Sequence, residues 1–331
     1  MIIRLLAFSE KGLSLAQGLA SALDGEAQRC NAPLSLADWT ARAFAEAEAL
    51  VFVGAAGIAV RAIAPHVRSK VSDPAVVVVD ECGHFAVPIL SGHLGGANDL
   101  ARRIARLTGA TPVLTTATDA NGVFAVDEWA RAQGCAVVHP ERIVRVSSRL
   151  LAGDTVFLRS DWPVQGKPPQ NVALADGIPC DFALSIHPVD AQALHIVPRI
   201  AHLGVGCRRG IAIEALEAAL QALLNHSGIC EQAIVGACSI DLKQNEPGLL
   251  AFCRGHGWQL RTFSAEQLRA APGEFTPSAF VQSVTGVDNV CERSAVLGSG
   301  GTLYWRKEAG NGVTMALALA PFAPDWRWHN E

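Results

Sequence analysis

The chain has 331 residues, of which half are hydrophobic and 18% are charged, and its formal net charge at pH 7 is -4. This length exceeds one ordinary hydrophobic core and predicts two or three domains. The net negative charge argues against a general nucleic-acid binder. Any anionic ligand must therefore be bound by cations close to its site.

Nine cysteines are spread along the chain without a Cys-x-x-Cys pair. Their odd number and wide spacing indicate reduced thiols and argue against a structural zinc site. The chain opens as a strand without a leader-like pattern, and its longest uncharged apolar run, near residues 49–60, is shorter than a bilayer span. We therefore expect a cytoplasmic protein that is not embedded in a membrane.

The first residues alternate between strand and helix patterns that are typical of α/β proteins. An apolar run at 2–8 predicts a strand, and apolar stripes at 13–23 and 36–47 predict helices. A buried strand at 50–53 leads to Gly54-x-x-Gly57, which opens another helix. These glycines lack the spacing of a dinucleotide fingerprint, and no nucleotide P-loop is present, so NAD or ATP binding has little support.

Three cations follow this glycine-flanked strand-to-helix corner, at Arg61, Arg68 and Lys70. They could clamp carboxylates on a ligand. A solvated helix face explains the same cluster, and tight packing explains Gly54 and Gly57. The sequence leaves these alternatives open.

Most of the candidate chemistry follows a predicted β-hairpin, with strands at 76–79 and 85–90 and a turn at Cys82-Gly83. Pro88 cannot donate to a strand ladder, which predicts that the second strand is at an edge or bulged. The hairpin leads into the segment Ser91-Gly92-His93-Leu94-Gly95-Gly96, and a helix with an apolar stripe begins after it.

Such a strand-to-helix corner favours an anionic ligand, because the first amides of a helix lack partners within it. His93 could exchange protons at neutral pH, with Asp80, Glu81 or Asp99 orienting the ring. The alternative is purely structural: Gly95 and Gly96 allow close packing, and the histidine satisfies a buried carbonyl.

A strand at 112–115 ends in a hydroxyl-rich loop with Thr115 and Thr116, which could contact a ligand or cap the next segment. Residues 121–130 close the first domain, and 131–199 predict a small middle α/β domain or connector. The fold class that we expect is α/β and multidomain. Three-layer α/β domains at 1–130 and 200–325 are joined by the middle domain.

The second half repeats the strand, loop and helix pattern, with Cys207, Arg208 and Arg209 in the loop. Two guanidinium groups beside free helix amides suit carboxylate or phosphate oxygens. Cys207 could be a nucleophile or simply a packed thiol. Lys243 with Glu246 could form a ligand pair or an ordinary ion pair. A closing hairpin is predicted around Gly310-Asn311-Gly312.

Several motifs in this order resemble the cobalt-precorrin-5A hydrolase family of anaerobic cobalamin biosynthesis. In the first half these are Gly57-Ile-Ala-Val-Arg61, Val79-Asp80-Glu81, Ser-Gly-His-x-Gly-Gly-Ala-Asn at 91–98 and Thr115-Thr116-Ala-Thr118-Asp119. In the second half, Leu203-Gly-Val-Gly-Cys207-Arg208-Arg209, Ser239-Ile-Asp241-x-Lys243 and Thr285 to Glu292 are similar to the family's C-terminal domain.

The resemblance implies hydrolysis of a δ-lactone on a cobalt-containing tetrapyrrole, with release of a two-carbon unit as acetaldehyde. We expect His93 to be the base, oriented by Glu81 or Asp80, with amides near Gly95 and Gly96 as oxyanion donors. The cobalt belongs to the substrate, so no cofactor or metal site of the protein's own is expected. Other enzymes of the pathway are possible partners, and a non-catalytic carrier of the tetrapyrrole is the main alternative.

Two groups of residues are expected to bind the substrate on this reading. The first half contributes Gly57, Arg61, Lys70, Ser91, Gly92, Gly95, Gly96, Asn98, Thr115 and Thr116. The second half contributes Cys207, Arg208, Arg209, Ser239, Lys243 and Glu292.

Overall fold

The protein is described by a computed structural model that covers residues 1–69, 72–176 and 179–328. Three separate β-sheets, each with its own helices, follow one another along the chain. The predicted multidomain α/β class is therefore confirmed. Within the described ranges, no helix has the length and apolar character that crossing a bilayer requires.

The N-terminal sheet has the order β2-β1-β3-β4-β5-β6. Helices α1 and α4 cover one face of this sheet and α2 and α3 cover the other, which gives the expected three layers. The strands are β1 (Ile3–Ala7), β2 (Glu26–Arg29), β3 (Ala49–Val53), β4 (Ala75–Val79), β5 (Phe85–Leu90) and β6 (Thr111–Pro112). The helices are α1 (Glu10–Leu23), α2 (Leu36–Glu46), α3 (Ala56–Ile63), α4 (Ala97–Thr108) and α5 (Ala117–Asn121).

The direction of β5 determines where the candidate residues lie. Strands β1, β3 and β4 are parallel, so their carboxyl ends share one edge of the sheet, which we call the carboxyl edge. Strand β5 pairs antiparallel with β4 and therefore ends at the opposite edge, which we call the amino edge. The register shifts by one residue beside Pro88, which confirms the predicted bulge.

The middle sheet has the order β7-β11-β10-β8-β9. Its core contains Phe124, Trp129, Phe182 and Trp326, and the two tryptophan rings stack 5.5 Å apart. The expected boundary at Ala130 falls inside α6, whose buried side chains belong to this core. The elements are α6 (Val126–Ala132), β7 (Cys135–Val138), α7 (Ile143–Leu151), β8 (Val156–Ser160), β9 (Val172–Leu174), β10 (Phe182–Leu184) and β11 (Leu194–Pro198).

The C-terminal sheet has the order β14-β13-β12-β16-β15, with α8 and α9 on one face and α12 on the other. Asn311 and Gly312 both have positive φ, as a type I′ turn requires, which confirms the closing hairpin. The strands are β12 (Ala201–Cys207), β13 (Ile234–Ile240), β14 (Gln259–Phe263), β15 (Thr302–Gly310) and β16 (Val313–Leu319). The helices are α8 (Ile213–Ser227), α9 (Pro247–Gly255), α10 (Ala265–Arg269), α11 (Ala279–Thr285) and α12 (Cys291–Ser299).

Candidate active site

The loop that joins β5 to α4 is held in a tight conformation by its own small residues. Ser91 has a positive φ of 55°, and its hydroxyl donates to the carbonyl of Asp73 at 3.0 Å. A Cβ on Gly95 would overlap Ser91, and a Cβ on Gly92 would lie 2.8 Å from Oδ1 of Asn98. Packing alone therefore requires glycine at position 95, and a Cβ at position 92 would displace the Asn98 side chain.

The imidazole of His93 lies between two carboxylates. Nε2 is 2.9 Å from Oδ2 of Asp119, and Nδ1 is 3.2 Å from Oδ1 of Asp127. The side chain is 14% exposed. Burial lowers the pKa of His93, but the hydrogen bonds to Asp119 and Asp127 and the charge of Glu128 outweigh it and raise the pKa to about 10. His93 is therefore an imidazolium at neutral pH.

The prediction that Glu81 or Asp80 orients His93 is wrong. Both residues follow β4 at the carboxyl edge, whereas His93 follows β5 at the amino edge, and six residues of strand span about 20 Å. Asp80 instead accepts from the amides of Cys82 and Phe85 at 2.9 and 2.7 Å, and Glu81 accepts from the hydroxyl of Ser9 at 2.8 Å.

Two arginines complete a charged cluster around His93. Arg102, on α4, donates to Asp99 at 2.9 Å and to Glu128 at 2.7 Å, and it also pairs with Asp119. Arg131, on α6, pairs with Asp99 and donates from Nε to the carbonyl of His93 at 3.1 Å. Four carboxyl groups thus face three cations. We call this set the His93 cluster: His93, Asp99, Arg102, Asp119, Asp127, Glu128 and Arg131.

Asp119 and Glu128 have pKa values that are shifted in opposite directions. Burial raises the pKa of Asp119, but hydrogen bonds from His93 and Thr116 and the charge of Arg102 outweigh it and lower the pKa to about 2. Burial raises the pKa of Glu128, and the charge of Arg102 only partly offsets this. Asp119 is therefore ionised and a weak base.

Asn98 and Thr116 hold Asp119 in place. The amide nitrogen of Asn98 donates to the hydroxyl of Thr116 at 3.2 Å and to Asp119 at 2.9 Å, and Thr116 itself bonds to Asp119. Oδ1 of the buried Asn98 has no hydrogen-bond partner among the described residues. Thr115, by contrast, is exposed.

The amide of Gly96 does not serve as the expected oxyanion donor, because it donates to the carbonyl of His93 at 3.0 Å. The amides of Ala97 and Asn98 are likewise used, toward Ser91 and Gly92. The amide of Gly95 has no acceptor within the described ranges of the chain. Of the two glycine amides expected to bind an oxyanion, that of Gly95 therefore remains the candidate for contacting a ligand.

Among the residues that the structure describes, two groups of side chains have the spacing to hold a metal ion. His93, Asp119 and Glu128 place their ligand atoms within 4.8 Å of one another, as do Asp80, Cys82 and His84 at the other edge of the sheet. In the first group, the guanidinium of Arg102 already compensates Asp119 and Glu128. This pairing opposes a dication there, since ligand charge is what such an ion requires.

Family models match both ends of the chain. The model described as "Cobalamin synthesis G N-terminal" matches residues 38–119, and "Cobalamin synthesis G C-terminus" matches 201–318. A cobalt-precorrin-5A hydrolase of Salmonella typhimurium is 36% identical over 298 residues, which cover 85% of each chain. The chain belongs to the cobalt-precorrin-5A hydrolase family.

Two further proteins are similar to this chain. A family member from Priestia megaterium is 29% identical over 301 residues, which cover 84% of this chain and 80% of the relative. A crystal structure of a cobalamin biosynthesis protein G homolog from Sulfolobus solfataricus is 22% identical, covers 96% of this chain and 97% of its own, and gives a TM-score of 0.42. The N-terminal family match includes His93, Asn98 and Asp119 but ends before Asp127 and Glu128.

Gly57 follows β3 at the carboxyl edge, away from the His93 cluster, and among the described residues no hydrogen bond or ion pair joins Arg61 to that cluster. Gly57 is exposed near the start of α3, and an added Cβ there would meet no atom within 4 Å. Packing therefore does not explain Gly57, although it does explain Gly54, where a Cβ would lie 2.7 Å from Phe8. Arg61 is exposed in the last turn of α3. Lys70 lies outside the described residues.

The C-terminal family residues cluster after β12 and β13. Arg208 and Arg209 are exposed, and Lys243 pairs with Glu246 at 3.0 Å. Glu246 also accepts from the amide of Gly210 at 2.8 Å, which ties the two loops together. Burial raises the pKa of Cys207 despite the charge of Lys243, and this disfavours the nucleophile interpretation.

Ser239 and Glu292 do not offer their side chains to a substrate, contrary to expectation. Ser239 is fully buried and donates to the carbonyl of Val205 at 2.7 Å. Glu292 is also fully buried and accepts from Thr276, Asn289 and the amide of Lys307 at 2.7 to 3.0 Å. Both side chains stabilise the C-terminal domain, and their burial could not be read from the motif alone.

Proposed function

We propose that this protein hydrolyses the δ-lactone of cobalt-precorrin-5A and releases the two-carbon unit as acetaldehyde, giving cobalt-precorrin-5B in cobalamin biosynthesis. The observation that carries the proposal is the 36% identity to a relative of this name across 85% of each chain. The charged corner after β5 supports it, because this corner places a proton-bearing group next to an otherwise small and glycine-rich loop.

The reaction consumes one water molecule. Water attacks the lactone carbonyl, the ring C–O bond breaks, and the products are a carboxylate, a hydroxyl group and one proton, which leaves to solvent. The hydroxyl then loses its proton to solvent water, the bond between its carbon and the macrocycle breaks, and the electron pair enters the conjugated ring. A proton is returned to the macrocycle as acetaldehyde leaves. Both steps develop negative charge on an oxygen, which a nearby cation or proton donor stabilises.

In this proposal His93 acts as a fixed cation rather than as the base that the sequence predicted. Its two carboxylate contacts keep it protonated at neutral pH, so it cannot accept a proton there. Because both ring N–H groups contact carboxylates, the imidazolium stabilises the oxyanion of the tetrahedral intermediate through its charge and does not donate a hydrogen bond to it. Asp119 and Asp127 hold the ring, while the exposed hydroxyl of Thr115 lies in the same loop region as Asp119.

The test is acetaldehyde release from purified cobalt-precorrin-5A, followed by coupled reduction with an alcohol dehydrogenase. We expect turnover by the wild type and a loss of at least a hundredfold in His93→Gln. His84→Gln, which changes an exposed imidazole at the carboxyl edge, is the matched control and should keep full activity. Tight binding of the lactone with no acetaldehyde would contradict the proposal and support the carrier alternative. Equal rates with and without a chelator are expected, since we propose no metal of the protein's own.

A further inference from the structure

Three large apolar side chains of the C-terminal domain are more than half exposed. Phe280 is 77% exposed, Leu242 is 67% exposed and Val284 is 63% exposed. Phe280 and Val284 are four residues apart on α11, so they share one face of that helix. Large apolar side chains exposed together mark a binding surface more often than isolated ones do.

The topology brings these residues to one edge of the C-terminal sheet. Strands β12 and β13 are parallel, so Arg208 and Arg209 after β12 lie beside Leu242 after β13. The hydrogen bond from Gly210 to Glu246 joins the two loops. Helix α11 is anchored to the same end, because Val281 packs against the core that contains Ile240. Ligands of open α/β sheets bind at this carboxyl edge.

Two cations at this edge form no ion pair within the described residues. Lys243 is neutralised by Glu246, but neither Arg208 nor Arg209 has an acidic partner among the described residues. The stem of Arg208 lies over the hairpin turn, where a Cβ on Gly312 would come within 2.8 Å of its Cδ. An exposed apolar patch next to two uncompensated guanidinium groups in an acidic protein selects a ligand that is both apolar and anionic.

We propose that Leu242, Phe280 and Val284 form a platform for the flat face of a corrinoid macrocycle, while Arg208 and Arg209 bind the carboxylates on its arms. This inference rests on the proposed function and deepens it, since it assigns binding of the substrate class to a surface separate from the His93 cluster. The platform recognises the ring and its acid groups, and it takes no part in proton transfer.

The test measures the Kd of the full-length protein by equilibrium dialysis with two probes. One is cobyrinic acid, a cobalt corrinoid with free carboxylates, and the other is cobinamide, in which amides replace all of these carboxylates. We expect the wild type to prefer cobyrinic acid. The double variant R208Q/R209Q should raise the Kd for cobyrinic acid about tenfold and change that for cobinamide little. The double variant F280S/V284S should weaken both corrinoids by about tenfold.

Two surface substitutions elsewhere serve as matched controls. R42Q removes an exposed arginine on α2, and V144T changes an exposed valine on α7. Both should bind as the wild type does. The platform is overturned if R208Q/R209Q and F280S/V284S also bind both corrinoids like the wild type. H93Q separates this inference from the proposed function, since it should lose acetaldehyde release and keep corrinoid affinity. Corrinoid binding that depends on the platform, without any acetaldehyde from the wild type, would uphold the platform and refute the hydrolase.

Discussion

The stability of the protein should fall as the pH rises from 7 to 9, and His93 should cause much of this fall. The folded pKa of His93 is about 10, against about 6.5 in an unfolded chain. A raised pKa stabilises the fold fully below pH 6.5, and the stabilisation is lost as the pH approaches 10. Linkage gives a contribution of about 4 kcal/mol at pH 7 and about 1.5 kcal/mol at pH 9, a loss of roughly 2.5 kcal/mol.

Urea unfolding of the wild type and of His93→Gln at pH 7, 8 and 9 measures this difference. Other titrating groups are common to both proteins, so the gap in unfolding free energy between them should narrow by roughly 2.5 kcal/mol over this range. Asp127→Asn, which removes one carboxylate and leaves His93 in place, should show an intermediate pH dependence. A constant gap between pH 7 and 9 would mean that His93 is already neutral at pH 7, and the proposed role as a fixed cation would then be wrong.

Three further changes test the packing and charges of the same region. Arg102→Gln should destabilise the fold by about 3 kcal/mol in urea unfolding, because it leaves Asp119 and Glu128 buried without their shared cation. A loss of less than about 1 kcal/mol would contradict the ion pairs assigned to Arg102 in the His93 cluster. Gly95→Ala should lower the melting temperature, because an added Cβ would overlap Ser91. Gly57→Ala should leave it unchanged, because an added Cβ there meets no atom within 4 Å. Equal effects of the two substitutions would contradict the conclusion that packing requires glycine at position 95. Glu81→Gln should release acetaldehyde at the wild-type rate, and a large loss would return Glu81 to the chemistry.

Local patterns in the sequence predict the scaffold of this site well. Alternating apolar runs and glycine turns are enough to locate the hairpin of β4 and β5, the bulge at Pro88 and the helix that starts after Gly96. The contacts of Asp127 and Glu128 could not be predicted from local patterns, because they depend on how α6 docks against α4. Neither residue lies in a motif, and charge alone does not distinguish them from solvated surface acids.

The misplaced partners of His93 have a simple topological origin. Asp80 is only 13 residues from His93 in the sequence, and Asp127 is 34 residues away. The two strands of a hairpin run in opposite directions, so the turn and the exit of the second strand lie at opposite edges of the sheet. The predicted hairpin itself therefore excluded Asp80 and Glu81. Proximity in the sequence did not predict proximity in the structure, because the full length of β5 separates Asp80 and Glu81 from His93.

The protonation of His93 and the position of α6 are physically coupled. Asp127, Glu128 and Arg131 reach the cluster from α6, whose apolar face is buried in the middle core through Trp129. Docking of α6 therefore supplies one of the two carboxylates that keep the imidazole charged. Removing that carboxylate would lower the pKa of His93 toward the range in which a histidine can act as a base. With α6 docked, as observed, the proton stays on His93, and the arrangement favours a fixed cation over a base.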